Sequence, residues 1–184
     1  MPIFSHPTLG RVLFVHIPKC AGSSVCWGLM RNGFELDKMS TDAQPHPLYV
    51  DYRGWGSFNY KFTVVREPLD RFCSMLRYRQ DLSNGKLKNE EIDAFAIDAL
   101  NTERAKLDRV WGQHIPPQVE YHCDDMEFFR LEDGFEAVQK RLRLNTPFPT
   151  SNVSDSKVNV SFLSHATVRR VKEFYKDDYE KFGY

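Results

Sequence analysis

The fold turns on residues 11–30, RVLFVHIPKCAGSSVCWGLM. Arg11 to Ile17 is a short apolar, β-branched run of the kind that forms a buried strand. Pro18 to Ser24 follows as a tight loop, and VCWGLM reads as the opening of a helix. Gly22 permits an unusual backbone geometry, and Ser23 and Ser24 suit the first helical positions. Outward from this stretch the same grammar recurs. Tyr60 to Val65 (YKFTVV) has a buried-strand pattern, Arg66-Glu67 closes it, and Pro68 stands where a helix begins. Leu69, Phe72, Cys73 and Leu76 then share one face at helical spacing, leaving Arg71, Ser74 and Tyr78 on the other.

Residues 126–131 (MEFFRL) supply a third strand, followed by a helix over 133–143 with Phe135, Val138 and Leu142 inward. A last helix spans about 164–182, with Val168, Val171, Tyr175 and Phe182 at packing positions. Residues 86–111 read as mostly helical and charged, and 145–161 as a loop rich in Pro, Ser and Asn. No internal repeat and no long linker divides the chain. Short strands alternating with helices predict one α/β domain over residues 1–184, a three-layer arrangement with a mainly parallel central sheet flanked by helices. Ligands of such sheets sit beyond the carboxyl ends of the strands.

Composition narrows the function. The 184 residues include 41% hydrophobic and 27% charged residues, a globular balance, and 25 Lys plus Arg offset 25 Asp plus Glu. A general nucleic-acid binder carries a basic excess, so an anion site here is local, built from a few placed cations. The four cysteines, Cys20, Cys26, Cys73 and Cys123, form no C-x-x-C pair and lack His partners at zinc spacing, so reduced thiols and no metal are expected. No signal peptide and no apolar run near the ~20 residues of a membrane span is present, and the chain reads as cytoplasmic. The sequons at Asn152 and Asn159 matter only in a secretory lumen.

A strand ending in a Gly-containing loop that opens a helix aims backbone N–H groups at one spot and adds the positive end of the helix dipole. In HIPKCAGSS, Lys19 adds a full charge, and a unit pair at 4 Å is worth ~4 kcal/mol at an effective dielectric of 20. The alternative is a plain helix start beside a solvated lysine. Neither G-x-x-x-x-G-K-[ST] nor G-x-G-x-x-G occurs, and the second strand ends in Arg66 rather than in a Walker-type Asp, which disfavours an ATP or GTP kinase. At that second strand end, the Arg66 fork and the Ser74 hydroxyl eight residues on suit a second phosphate, with Arg71, Arg77 and Arg79 nearby in sequence. Alternatively Arg66 pairs with Glu67 or Asp70.

With these residues in view, the chain resembles the sulfotransferases that use 3′-phosphoadenosine-5′-phosphosulfate (PAPS), in particular the carbohydrate sulfotransferase-like branch. FVHIPKCAGSS (14–24) is similar to the family's 5′-phosphosulfate loop, and FTVVREPLDRFCS (62–74) to its 3′-phosphate segment. Weaker likenesses run through His114-Ile-Pro-Pro-Gln118, Phe128 to Glu132 and Tyr175 to Tyr184, so nearly the whole chain is covered. The resemblance implies a P-loop nucleoside-triphosphate-hydrolase-like fold. It implies that Lys19, the backbone of Ala21 and Gly22, and the hydroxyls of Ser23 and Ser24 hold the 5′-phosphosulfate, that Arg66 and Ser74 hold the 3′-phosphate, and that 3′,5′-ADP (PAP) leaves. It also implies in-line transfer to an acceptor hydroxyl of a carbohydrate or small molecule, with no metal required.

An acceptor hydroxyl needs a general base. His46, between the two donor motifs as in related branches, is the first choice, since an unperturbed imidazole titrates near 6.5; as a turn histidine between Pro45 and Pro47 it has an equally ordinary reading. His114, His16 and Glu35 are the other candidates. Cys20 stands where a small hydroxylated residue is frequent, and a thiol beside Lys19 has reason for a lowered pKa; it is expected to tolerate replacement if only the backbone matters. Acceptor loops are expected over 31–60, 80–120 and 145–161, where Tyr49, Trp55 and Trp111 either stack on a sugar or fill the core. A PAPS-binding module without transfer is the rival class.

Overall fold

A computed structural model describes residues 1–38, 46, 48, 54–83, 87–101, 114–151 and 154–184. The chain forms two compact units, one of residues 1–66 with 118–152, the other of residues 67–117 with 153–184.

The first unit holds an α/β arrangement on a five-stranded sheet. Its strands are β1 (Ile3–His6), β2 (Gly10–Val15), β3 (Glu35–Lys38), β4 (Tyr60–Val65) and β5 (Glu127–Arg130), in the spatial order β3-β1-β2-β4-β5. β2 and β4 run parallel, with Val12 opposite Tyr60 and Val15 opposite Thr63, and β4 runs parallel to β5. β1 pairs antiparallel with both β2 and β3. The sheet is therefore mixed rather than mainly parallel. The hairpin from β1 to β2 turns through Gly10 at a φ of 68°, where a side chain would be strained. Val12 to Val15 and Phe62 to Val65 are wholly buried, which is why they read as continuous apolar runs rather than as alternation. β1 and β3 gave no such signal. Each has four residues, and β3 (ELDK) carries a single apolar side chain, Leu36, itself exposed. Charged short strands are what a sheet edge tolerates.

Helices α1 (Gly22–Arg31) and, near the end of the unit, Glu136–Leu142 pack on one face of this sheet. Val25, Leu29, Val138 and Leu142 meet Phe4, Val12, Phe14, Phe62 and Val64 in one apolar cluster. The helix expected over 133–143 starts later, because Leu131–Asp133 is a single 3-10 turn and Gly134 has a φ of 78°.

The second unit is helical among the described residues. It comprises α2 (Pro68–Leu82), α3 (Ile92–Ala99), then, with Glu136–Leu142 of the first unit counted as α4, α5 (His165–Phe174) and α6 (Lys176–Phe182). Phe72, Met75, Leu76, Ile92, Ala96, Val171 and Tyr175 share its core. The final helix breaks at Tyr175, whose hydroxyl donates to the Ile115 carbonyl at 2.8 Å. Arg71 departs from its expected place on the outer face. It is 2% exposed, and its guanidinium donates to the carbonyls of Pro116 and His114, both at 3.0 Å. Arg77 likewise donates to the Val158 carbonyl at 2.8 Å. These arginines tie loops to α2. Of the stretch 86–111, residues 86 and 102–111 lie outside the described residues.

Candidate functional site

The site is built at the carboxyl ends of β2 and β4. β2 stops at Val15, and Ile17 N–H turns back onto the Val15 carbonyl at 3.2 Å, so Ile17 belongs to the loop. Two non-glycine residues there adopt the left-handed region, Lys19 at a φ of 67° and Ala21 at 57°. Each costs on the order of 1–2 kcal/mol. The sequence pointed to Gly22 for unusual geometry, yet Gly22 is helical and is needed for space: a Cβ on it would lie 1.8 Å from His16 Nε2.

Ala21 is the N-cap of α1, no side chain caps it, and the first turn holds no acidic residue. The first amides of a helix have no intrahelical acceptor. A helix start without a capping oxygen, next to a lysine, suits an anion. Ser24 is 3% exposed, accepts the Ser151 N–H at 3.2 Å, and has its Oγ 3.1 Å from Ser151 Oγ. The Ser24 hydroxyl, expected on the donor, is thus shared with residue 151. Ser23 is half-buried on the same turn.

Arg66 follows β4 directly. Its Nη1 donates to the Lys19 carbonyl at 3.1 Å, so the cation at one strand end reaches the loop at the next. Glu67, the alternative partner expected for Arg66, accepts the Asp70 N–H and the Tyr179 hydroxyl, both at 2.6 Å. Arg66's own backbone is gripped by Gln118, which is fully buried: Arg66 N–H donates to Oε1 at 2.9 Å and Nε2 donates to the Arg66 carbonyl at 2.8 Å. The same Oε1 accepts the Cys20 thiol at 3.3 Å. Cys20 is 1% exposed. It is a buried hydrogen-bond donor rather than an exposed side chain beside Lys19.

No family model matches this chain, and neither curated proteins nor solved structures gave a match.

Among the expected bases, His46 is half-buried and lies in this same unit. Its Nδ1 is 3.1 Å from the His16 carbonyl, and its ring meets the His16 ring edge-on at 4.5 Å. A carbonyl only accepts, so Nδ1 carries a proton in this contact, and in the neutral ring Nε2 is then the accepting nitrogen. His16 stacks on Phe14 at 5.8 Å and packs over Gly22, which makes it a support for His46. Glu35 is removed from the site. It pairs with Ser5, which faces Arg11, at the far end of the sheet, ~13 Å along the strand from Val15 at 3.3 Å per residue. His114 belongs to the second unit, where its ring lies 5.6 Å from Tyr78. Ser74 is half-buried on α2, also in the second unit. Trp55 is half-buried; Tyr49 and Trp111 lie outside the described residues.

Gln118 and Ser151 are the residues that sequence reasoning missed as parts of this site. Gln118 stands in the HIPPQ stretch, where no periodicity marks a buried polar side chain. Ser151 sits in a Pro- and Ser-rich loop in which any residue looks solvated. Among the described residues no group of His, Cys, Asp or Glu is arranged to hold a metal ion, and no helix is long and apolar enough to cross a membrane.

Proposed function

We propose that this chain is a sulfotransferase with a P-loop-like donor site, moving the sulfuryl group of PAPS to a hydroxyl of a carbohydrate or small molecule. The observation that carries the reading is the Arg66 guanidinium donating at 3.1 Å to the carbonyl of Lys19, in the loop that leads into the uncapped start of α1. It supports the anion-binding role that the resemblance gives to both motifs, since the arginine fork of one motif reaches the loop of the other, beside the first amides of α1.

The bound donor supplies an activated sulfur whose bond to the bridging oxygen is broken as the acceptor oxygen attaches in line. Lys19 and the amides of Ala21, Gly22 and Ser23 hold the anionic end and offset the charge that grows on the departing phosphate. Arg66 gives the chain a fork for the phosphate that distinguishes this donor from 5′-AMP derivatives. His46 Nε2 takes the acceptor proton, while the bond from Nδ1 to the His16 carbonyl keeps that tautomer in place. The four cysteines are not joined in disulfides.

Incubation with PAPS and a panel of hydroxyl and amine acceptors tests the reading. Acceptor-dependent release of PAP, lost in Lys19→Ala, is expected. PAPS binding without release under any acceptor would instead favour a module that binds the donor and transfers nothing.

A further inference from the structure

Gln118 has no assigned part in donor recognition, yet it touches both halves of the site. Its carboxamide lies against Arg66 as a neighbouring strand would, accepting from Arg66 N–H and donating to the Arg66 carbonyl. β4 has ended at Val65, so this side chain carries strand-like pairing one residue further. Its oxygen also accepts from the thiol of Cys20. Cys20 is the residue between Lys19 and Ala21, the two left-handed positions of the loop. One planar amide thereby anchors the backbone that aims the Arg66 side chain and the residue at the centre of the phosphate loop.

We propose that Gln118 is a positioning residue for donor specificity: through Arg66 and Cys20 it sets the 3′-phosphate fork in register with the 5′ loop, so that nucleotides carrying phosphates on both the 3′ and 5′ oxygens are selected over 5′-monophosphates. This rests on the donor site proposed above. The amide is suited to the task because it sets an NH2 donor beside a carbonyl oxygen in one plane, and that oxygen has lone pairs for both Arg66 N–H and the Cys20 thiol. A carboxylate of the same shape still accepts from Arg66 N–H and Cys20 but faces the Arg66 carbonyl with a second oxygen. A protonated carboxyl restores the donor. Burial raises the pKa of a carboxyl, so the Gln118→Glu variant recovers as the pH falls.

Titration calorimetry with PAP and with 5′-AMP reads the proposal as a ratio of affinities. Wild type is expected to prefer PAP. Gln118→Glu at pH 8 lowers that preference at least ~10-fold, a loss of about 1.4 kcal/mol, and the preference returns toward wild type at pH 6. In an Arg66→Ala background, where the fork is gone, Gln118→Glu makes no further difference to the ratio. Cys20→Ser keeps the preference because a hydroxyl donates to the same oxygen, whereas Cys20→Val reduces it. Thermal melts run alongside check that each variant is folded; if Gln118→Glu is not, the two Cys20 variants carry the same comparison. An unchanged PAP preference in folded Gln118→Glu, or equal preferences in Cys20→Ser and Cys20→Val, overturns the role of Gln118 and leaves the donor site standing. A wild type that does not distinguish PAP from 5′-AMP overturns the donor site itself, and the proposal with it.

Discussion

Replacing Gly22 by alanine adds one methyl group at the tightest point of the site. The new Cβ would lie 1.8 Å from His16 Nε2, 1.9 Å from Cδ2 and 2.5 Å from Cε1, so the imidazole must leave its place over α1. Helix propensity alone favours alanine by about 1 kcal/mol. Against that, forcing a group into a filled space costs ~1–3 kcal/mol, and His16 has little room to yield, stacked on Phe14 on one side and against His46 on the other. The net expectation is a loss of up to about 2 kcal/mol, equivalent to roughly 4–8 °C in Tm for a chain of this size. Because the displaced ring bears on His46, turnover falls more than stability does. Gly54→Ala is the control: among the described residues nothing lies within 4 Å of its Cβ position and its φ is ordinary, so Tm and turnover hold. Calorimetric melts with PAP-release rates on the same samples decide it. Gly22→Ala with unaltered Tm and turnover would refute the packing of His16 over the helix start, and with it the support given to His46.

Three further outcomes follow from particular contacts. His46→Asn lowers kcat by ~10²–10⁴, the usual size of a general-base contribution, and removes the acid limb of the pH–rate profile; a variant that keeps that limb places the base elsewhere. Arg71→Met strands two carbonyl acceptors, those of Pro116 and His114, at ~1–3 kcal/mol each, so chemical denaturation is expected to show a loss of about 2–6 kcal/mol, and a near-neutral result contradicts a bracing role. Of the eight tyrosines, Tyr60 and Tyr179 have their phenol pKa raised, by burial first and then by donating to the carboxylates of Glu127 and Glu67. Their protons are held more tightly folded than unfolded, so this stabilisation is whole below the ordinary value near 10 and is lost as the pH rises beyond it. Absorbance titration of the folded protein should lose late-ionising phenol in Tyr60→Phe and in Tyr179→Phe relative to wild type; a high-pH titration unchanged in both variants would speak against those contacts.

The legible parts of the fold were those where burial writes a dense pattern. β4 was read to the residue and β2 to within two, because strands buried on alternate residues on both sides leave long β-branched runs. β1 and β3 were missed because a four-residue strand gives periodicity no room, β1 (IFSH) being half apolar and β3 (ELDK) charged at three of its four positions, and that is also why a mixed sheet was read as mainly parallel. Helical spacing failed at Arg71 for a different reason: its burial depends on two carbonyls more than 40 residues away, and no local pattern reports a distant acceptor. In the site, Lys19 and Arg66 were visible through their places at strand ends, whereas the strain lies at Lys19 and Ala21 rather than at Gly22, whose small size answers His16. Gln118 was invisible for the same reason as Arg71, since its partners are set by tertiary structure alone.

The central claim is that Lys19 and Arg66 serve a sulfuryl donor whose group is passed to a hydroxyl. The most direct measurement is transfer of radiolabelled sulfate from PAPS to an acceptor panel by wild type, Lys19→Ala and Arg66→Ala. Labelled acceptor with stoichiometric PAP is predicted for wild type, none for Lys19→Ala, and a strongly raised KM for PAPS in Arg66→Ala. Equal labelling by wild type and Lys19→Ala, or none with any acceptor, would contradict it.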